Sequence, residues 1–196
     1  MKAFVIANLE EPPGTPFFDR LTELCAAGVD FVLIRDRSLP DRDRFSVALE
    51  CRRILAPPTR MLVHARADLA LAAGADGVHL PSHGVPARAV RALGETLTVG
   101  RSAHSVDECR VAAEEGVDYV LLGPVFPTRS KPGEAAISRA DLERAATLSP
   151  AVFALGGISL ENLGQLHGLP IAGVAAITLF MEDRPVSAVV EAVRRT

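Results

Sequence analysis

A phrase that returns three times constrains this chain more than any other feature. It reads Ala26-Ala27-Gly28-Val29-Asp30-Phe31-Val32-Leu33-Ile34 first and Ala72-Ala73-Gly74-Ala75-Asp76-Gly77-Val78-His79-Leu80 second. The third copy is Glu114-Glu115-Gly116-Val117-Asp118-Tyr119-Val120-Leu121-Leu122. Each runs from a helix end through glycine, a small apolar residue and aspartate into an apolar run. The glycine suits the left-handed residue that closes a helix. An uninterrupted apolar run is what a parallel strand buried on both faces requires. Ile171-Ala172-Gly173-Val174-Ala175-Ala176-Ile177 is a weaker fourth copy that keeps the strand and loses the cap.

Short apolar stretches at 3–7, 61–65, 98–102 and 152–156 supply strands of the other phase. Helical patterns fill 19–27, 42–55, 67–73, 87–93, 106–115, 139–147, 160–166 and 186–195. Eight strands alternating with eight helices at about 24 residues per unit predict an α/β chain, a (β/α)8 TIM barrel near its minimum length. An open doubly wound sheet is the alternative; it needs a topological switch and usually has fewer strands. With 196 residues the chain supports one core and is too short for two ordinary domains, so residues 1–196 are expected to form a single domain.

A formal net charge of −3 gives no reason to expect nucleic acid or an anionic membrane as partner. Basic residues concentrate only locally, at Arg35 and Arg37 and at Arg129 and Lys131. Cys25, Cys51 and Cys109 are widely spaced and fall on predicted helices, where buried thiols are the expectation; no Cys/His spacing suggests zinc. The opening apolar run is too short for a signal peptide, and no stretch approaches a membrane span. A cytoplasmic location is expected.

In such barrels active sites form at the C-terminal mouth, from strand ends and the loops that follow. The strand map therefore yields Arg35 and Arg37 after strand 2, His64 to Arg66 after strand 3, and Pro81 to Gly84 after strand 4. Arg101, Ser102 and His104 follow strand 5, and the longest loop, 123–133, follows strand 6. Strands 7 and 8 end in Gly156-Gly157 and Ile177-Thr178. Bare backbone at Gly156 and Gly157 lets N–H groups approach an anion, and barrels commonly bind phosphate after strands 7 and 8. Thr128, Ser130 and Lys131 add two hydroxyls and an ammonium that can close over a phosphate. An arginine in the mouth, Arg35, needs an anionic partner, from a ligand or a neighbouring acid.

The segments Gly74-Ala75-Asp76-Gly77-Val78-His79-Leu80, Gly123-Pro124-Val125-Phe126-Pro127-Thr128 with Lys131-Pro132, and Ala154-Leu155-Gly156-Gly157-Ile158 together resemble thiamine phosphate synthase and its relative TenI. The resemblance runs in order over nearly the whole chain and implies a (β/α)8 barrel. It implies one of two activities. The synthase joins hydroxymethylpyrimidine diphosphate to thiazole phosphate with magnesium; TenI is associated with tautomerisation that aromatises a thiazole carboxylate phosphate.

The branches differ in the groups that hold diphosphate and metal. The synthase pattern Gln-x-Arg-x-Lys after strand 2 reads Leu33-Ile34-Arg35-Asp36-Arg37 here, and Asn-Asp-Arg after strand 3 reads His64-Ala65-Arg66. Its Gly-Gln-x-Asp after strand 4 reads Pro81-Ser82-His83-Gly84. The two carboxylates that resemble magnesium ligands are thus Ala65 and Gly84, and magnesium is held mainly by such oxygens. No cofactor is therefore expected. TenI-like features are Ile34-Arg35-Asp36-Arg37-Ser38, Leu80-Pro81-Ser82 and Gly100-Arg101-Ser102-Ala103-His104-Ser105. Against them, the TenI pattern often places a histidine where Pro124 stands.

Tautomerisation needs a proton donor and acceptor poised near neutral pH, which points to histidine. His104, at a TenI-like position, and His64, at the mouth, are the catalytic candidates. His79 inside strand 4 reads as a packed, hydrogen-bonded barrel residue, His83 as a loop residue and His167 as remote. The substrate-binding candidates are Arg35, Arg37, Ser102, Thr128, Ser130, Lys131, Gly156, Gly157, Ile177 and Thr178, with a small phosphorylated thiazole as partner. Three readings stay open: a metal-independent thiazole tautomerase, an active synthase, and a non-catalytic binder of thiazole or thiamine phosphate. Relatives of this size are often dimeric, which leaves a homodimer open.

Overall fold

A computed structural model describes residues 1–9, 15–36, 38–128, 133–148 and 150–196. Eight parallel strands close in sequence order into a barrel: β1 (Lys2–Ala7), β2 (Phe31–Ile34), β3 (Arg60–His64), β4 (Gly77–Leu80), β5 (Thr98–Ala103), β6 (Tyr119–Leu122), β7 (Val152–Leu155) and β8 (Gly173–Ala176). Around them lie α1 (Phe17–Ala26), α2 (Asp41–Ile54), α3 (Ala67–Ala72), α4 (Ala87–Arg91), α5 (Val106–Glu114), α6 (Arg139–Leu148), α7 (Thr178–Met181) and α8 (Val186–Arg195). The expected (β/α)8 architecture is the observed one. The glycines of the repeated phrase close their helices as read, with φ of 72° at Gly28, 66° at Gly74 and 77° at Gly116.

Strand alternation sorts the core into two layers. Phe4, Ile6, Leu33, Leu62, Tyr119, Leu121, Phe153 and Ala175 fill the barrel interior. Their neighbours, among them Val5, Val32, Val63, Val78, Val99, Val120 and Val174, face the helices. Aromatic rings plug the interior: Phe4 stands 5.3 Å from Phe31, 5.4 Å from Tyr119 and 5.3 Å from Phe153, centroid to centroid. The barrel interior is therefore filled below its mouth.

The segment 160–166 departs from the expected helix. Only a four-residue 3-10 turn forms, at Leu163–Leu166. Asn162 explains the shortening: its side chain accepts from the Ser159 N–H (2.8 Å) and donates to the Gly157 carbonyl (2.7 Å), stapling the preceding residues into a loop. Gly168, at φ 76°, closes the turn. A short helix not expected from the sequence, α7, begins directly after β8. Cys51 and Cys109 are buried as expected, and burial pushes both thiols up to about 12; Cys25 is only half-buried. Among the described residues no helix is long and apolar enough to cross a membrane.

Candidate functional site

The upper end of the barrel is built on a histidine pair. β3 and β4 run in register with His64 opposite His79, and both side chains follow the inward parity of Leu62 and Gly77. Their rings are 6.2 Å apart. His79 is only 2% exposed and bonded at both nitrogens, Nδ1 to the Tyr119 hydroxyl (3.1 Å) and Nε2 to the Ser102 Oγ (2.9 Å). The packed, hydrogen-bonded reading of His79 holds. Burial, followed by the charges of His64, Arg35 and Arg101, pushes its pKa down to about 3, so the ring is neutral at physiological pH. Gly100 makes this arrangement possible, because a Cβ there would lie 1.9 Å from the Tyr119 ring.

Arg35 follows β2 half-buried and close enough for its charge to act on His79. Arg101 has the opposite parity to Ser102 and points out of the barrel. It binds Glu115 (3.0 Å) and the carbonyls of Gly84 (3.0 Å) and Val85 (2.6 Å), clamping the loop after β4. Ser102 remains half-buried on the inner face and borders a cavity of about 180 Å³ beside the start of α5.

His104 is bound to the head of α5. Its backbone N–H (2.9 Å) and ring Nδ1 (3.2 Å) both meet the Glu108 carboxylate. Ser105 in turn caps the Glu108 N–H at 3.1 Å, which completes a capping arrangement at the head of α5. Among the described residues the hydrogen bond recorded for the His104 ring is the one to Glu108. His83 is exposed, and His167, also exposed, meets the carbonyl of Thr196 at 2.9 Å.

Across the mouth, the two-glycine turn after β7 has φ of 99° at Gly156 and 66° at Gly157. Its bareness has an immediate steric cause. A Cβ on Gly156 would lie 2.9 Å from Pro124, and one on Gly157 would lie 2.4 Å from the Pro127 carbonyl oxygen. The loop after β6 sits directly on this turn, with Val125 N–H donating to Leu155 (2.9 Å) and Phe126 N–H to Gly156 (3.1 Å). Ile177 is half-buried and Thr178 exposed, at the junction of β8 and α7; Thr128 is half-buried. This is the region where barrels of this class commonly take phosphate. Arg37, Ser130 and Lys131 lie outside the described residues.

Two polar residues of the barrel, one at its closed end and one at its mouth, escaped the sequence reading. Tyr119 looks like any strand aromatic until its hydroxyl is found on His79. Asn8 follows β1 with the inward parity of Phe4 and Ile6, and its buried Oδ1 accepts no hydrogen bond among the described residues. Extending the strand-end rule to β1 would have found it.

Among the described residues the oxygen donors that a magnesium diphosphate requires are not assembled. Ala65 presents a methyl group, and Gly84 packs against the Pro81 ring. Asp36 Oδ1 is engaged by the Ser38 N–H (2.9 Å), the Ser38 hydroxyl (2.8 Å) and the Leu39 N–H (3.2 Å). Among the described residues no three His, Cys, Asp or Glu side chains group to hold a metal ion. These residues do not fit that metal.

Comparison with known proteins agrees with the fold. The model of the thiamine monophosphate synthase family matches residues 3–180. A putative thiamine-phosphate synthase 2 of Aquifex aeolicus is 34% identical over 171 residues, covering 86% of this chain and 92% of its own length. The thiamine-phosphate synthase of Enterococcus faecalis is 30% identical over 197 residues, covering 100% and 93%. Among solved structures, a thiamine phosphate pyrophosphorylase of Pyrococcus furiosus superposes with a TM-score of 0.86 at 26% identity, over 99% of this chain and 94% of that one. The chain is a member of the thiamine monophosphate synthase family.

Proposed function

We propose that this protein binds a phosphorylated thiazole across its barrel mouth and catalyses a metal-independent tautomerisation that aromatises a thiazole carboxylate phosphate. One observation carries the reading: the rim of β3 and β4 sets His64 against His79, while the adjoining Ala65 and Gly84 carry no carboxylate for a metal diphosphate.

The phosphate belongs with the loops after β7 and β8, at Gly157, Ile177 and Thr178, with Thr128 and Lys131 from the loop after β6. In the closed strand order β8 lies four strands from β4. A phosphate held there sends the ring across the mouth toward Arg35, His64 and Ser102. Tautomerisation removes one proton from a ring carbon and delivers one to another atom of the conjugated system, with no net change of charge or oxidation state. His64 is the proton carrier in this scheme, since an imidazole changes charge near neutral pH. His79, neutral and bonded at both nitrogens, is not available for that task. His104 is the second candidate.

A second reading, a thiamine-phosphate synthase, is favoured by the names of the relatives, one of which is 38% identical to this chain over 181 residues. The two are separated by assay. Purified protein should accelerate aromatisation of thiazole carboxylate phosphate in the presence of a chelator, followed by ultraviolet absorbance. His64→Gln should lower kcat about 100-fold, the weight of one general acid–base group, with binding retained. Magnesium-dependent formation of thiamine phosphate and pyrophosphate, with no acceleration of aromatisation, would establish the synthase instead.

A further inference from the structure

We infer that Tyr119 and His79 are positioning residues that lock the Ser102 hydroxyl as a hydrogen-bond donor into the mouth, toward a ligand atom that carries no proton of its own. Tyr119 is 2% exposed, and its ring is surrounded by Phe4 (5.4 Å), Phe31 (6.1 Å), Phe153 (5.9 Å) and His79 (5.6 Å). Burial raises its pKa well above the ordinary phenol value, so the hydroxyl keeps its proton. Among the described residues the acceptor within its reach is His79 Nδ1, at 3.1 Å. A buried hydroxyl without an acceptor is costly, so the proton is donated there.

The rest follows by exclusion. Nδ1 must present a lone pair, and a neutral imidazole then carries its single proton on Nε2. That proton is donated to Ser102 Oγ at 2.9 Å. Ser102 therefore accepts from His79, and its own hydrogen is left to be donated. Among the described residues no protein acceptor takes it, and Ser102 borders the cavity beside α5. The tautomer is fixed from below by a phenol in an aromatic cage, not by the ligand. Proton-free acceptors on a thiazole substrate are its carboxylate and its ring nitrogen.

This inference names the contact that the proposed thiazole site makes at β5, and it rests on that reading only for the ligand's identity. The test therefore starts without ligand. Long-range proton–nitrogen NMR of the free protein should assign the His79 proton to Nε2 and show no titration of that ring between pH 5 and 8. Tyr119→Phe keeps the ring and removes the hydroxyl; the tautomer preference at His79 should then be lost. In titrations, Ser102→Ala should weaken thiazole carboxylate phosphate binding about tenfold, as for one hydrogen bond to a charged acceptor, and leave inorganic phosphate binding unchanged. Equal losses with the decarboxylated thiazole phosphate would assign the acceptor to the ring nitrogen, and a loss confined to the carboxylated ligand would assign it to the carboxylate. A proton on Nδ1, or an unchanged spectrum in Tyr119→Phe, overturns the relay. Failure of the tautomerase assay alongside an Nε2 proton overturns the ligand and leaves the relay standing.

Discussion

Ala3 and Asp30 exchange two hydrogen bonds across the floor of the barrel: the Asp30 N–H donates to the Ala3 carbonyl at 3.0 Å, and the Ala3 N–H donates to the Asp30 carboxylate at 2.9 Å. The same exchange joins Met61 with Asp76 (2.8 and 2.7 Å) and Val99 with Asp118 (2.7 and 2.7 Å). Each pair lies one residue before the first register pair of its two strands, Phe4 with Phe31, Leu62 with Gly77 and Gly100 with Tyr119. An odd strand thus starts before its successor can offer a backbone acceptor, and the aspartate of the repeated phrase supplies one. At the fourth junction Ala172 keeps the backbone bond to Val152 (2.8 Å) but has no carboxylate to return it.

Removing such an acceptor should destabilise the protein without touching the mouth. Asp118→Ala leaves the Val99 N–H unpaired and should cost about 2–3 kcal/mol in urea unfolding. Asp118→Asn keeps an acceptor and loses only the ion pair to Arg91, whose partners are 29% and 46% exposed. Such a screened pair is worth about 1 kcal/mol or less, so the asparagine variant should sit close to the parent. Equal losses in the two variants would mean that the ion pair, not the backbone acceptor, holds the junction.

Ala65 is held at φ 60° on the rim, a left-handed conformation that side chains with a Cβ rarely adopt. Its side chain is exposed, and its N–H is fixed by a bond to the His79 carbonyl at 2.8 Å. Nothing is lost by removing the methyl group, so Ala65→Gly should raise stability by about 0.5–1 kcal/mol, and Ala65→Asn, a residue tolerant of this conformation, should also stabilise. Denaturant midpoints that fall in both variants would show that the conformation carries no strain.

The repeated Gly-x-Asp phrase made the barrel legible, because helix closure and strand burial both leave marks at fixed spacing. Strands 3–7, 61–65, 98–102 and 152–156 match the observed ones to within one residue at each end. The helix expected at 160–166 failed because a side-chain staple at Asn162 competes with helix and leaves no periodic mark. At the site, strand-end logic found Arg35, His64 and Ser102, which do line the mouth. It could not separate His104 from a capping residue, since Ser105 and Glu108 sit at capping-box spacing in either case. It read Gly156 and Gly157 as room for an anion, whereas their immediate requirement is the loop after β6, a contact between segments about 30 residues apart. Tyr119 was invisible as a polar residue because the partner of its hydroxyl lies two strands away.

The buried imidazole of His79 should leave a signature in the stability profile. Burial first, then the cations around it, lowers its folded pKa from 6.5 to about 3. The unfolded chain takes up a proton there below about pH 6.5 while the folded chain refuses it down to about pH 3, so folding stability falls as pH drops through that window. The loss is at most about 1.4 kcal/mol per pH unit for one group, and stability is fully retained above pH 6.5. Asp68, held at about 2 by Arg66, shares the same direction, but its contribution fades only as pH falls below the ordinary carboxylate value of 3.8. Unfolding measured above about pH 4.5 therefore isolates the histidine. His79→Gln should be less stable than the parent at pH 8, and the gap should narrow steadily on acidification from pH 6.5 to 4.5. A gap that stays constant over that range would mean that His79 takes up its proton in the folded protein, and the neutral ring on which the Ser102 donor depends would be lost with it.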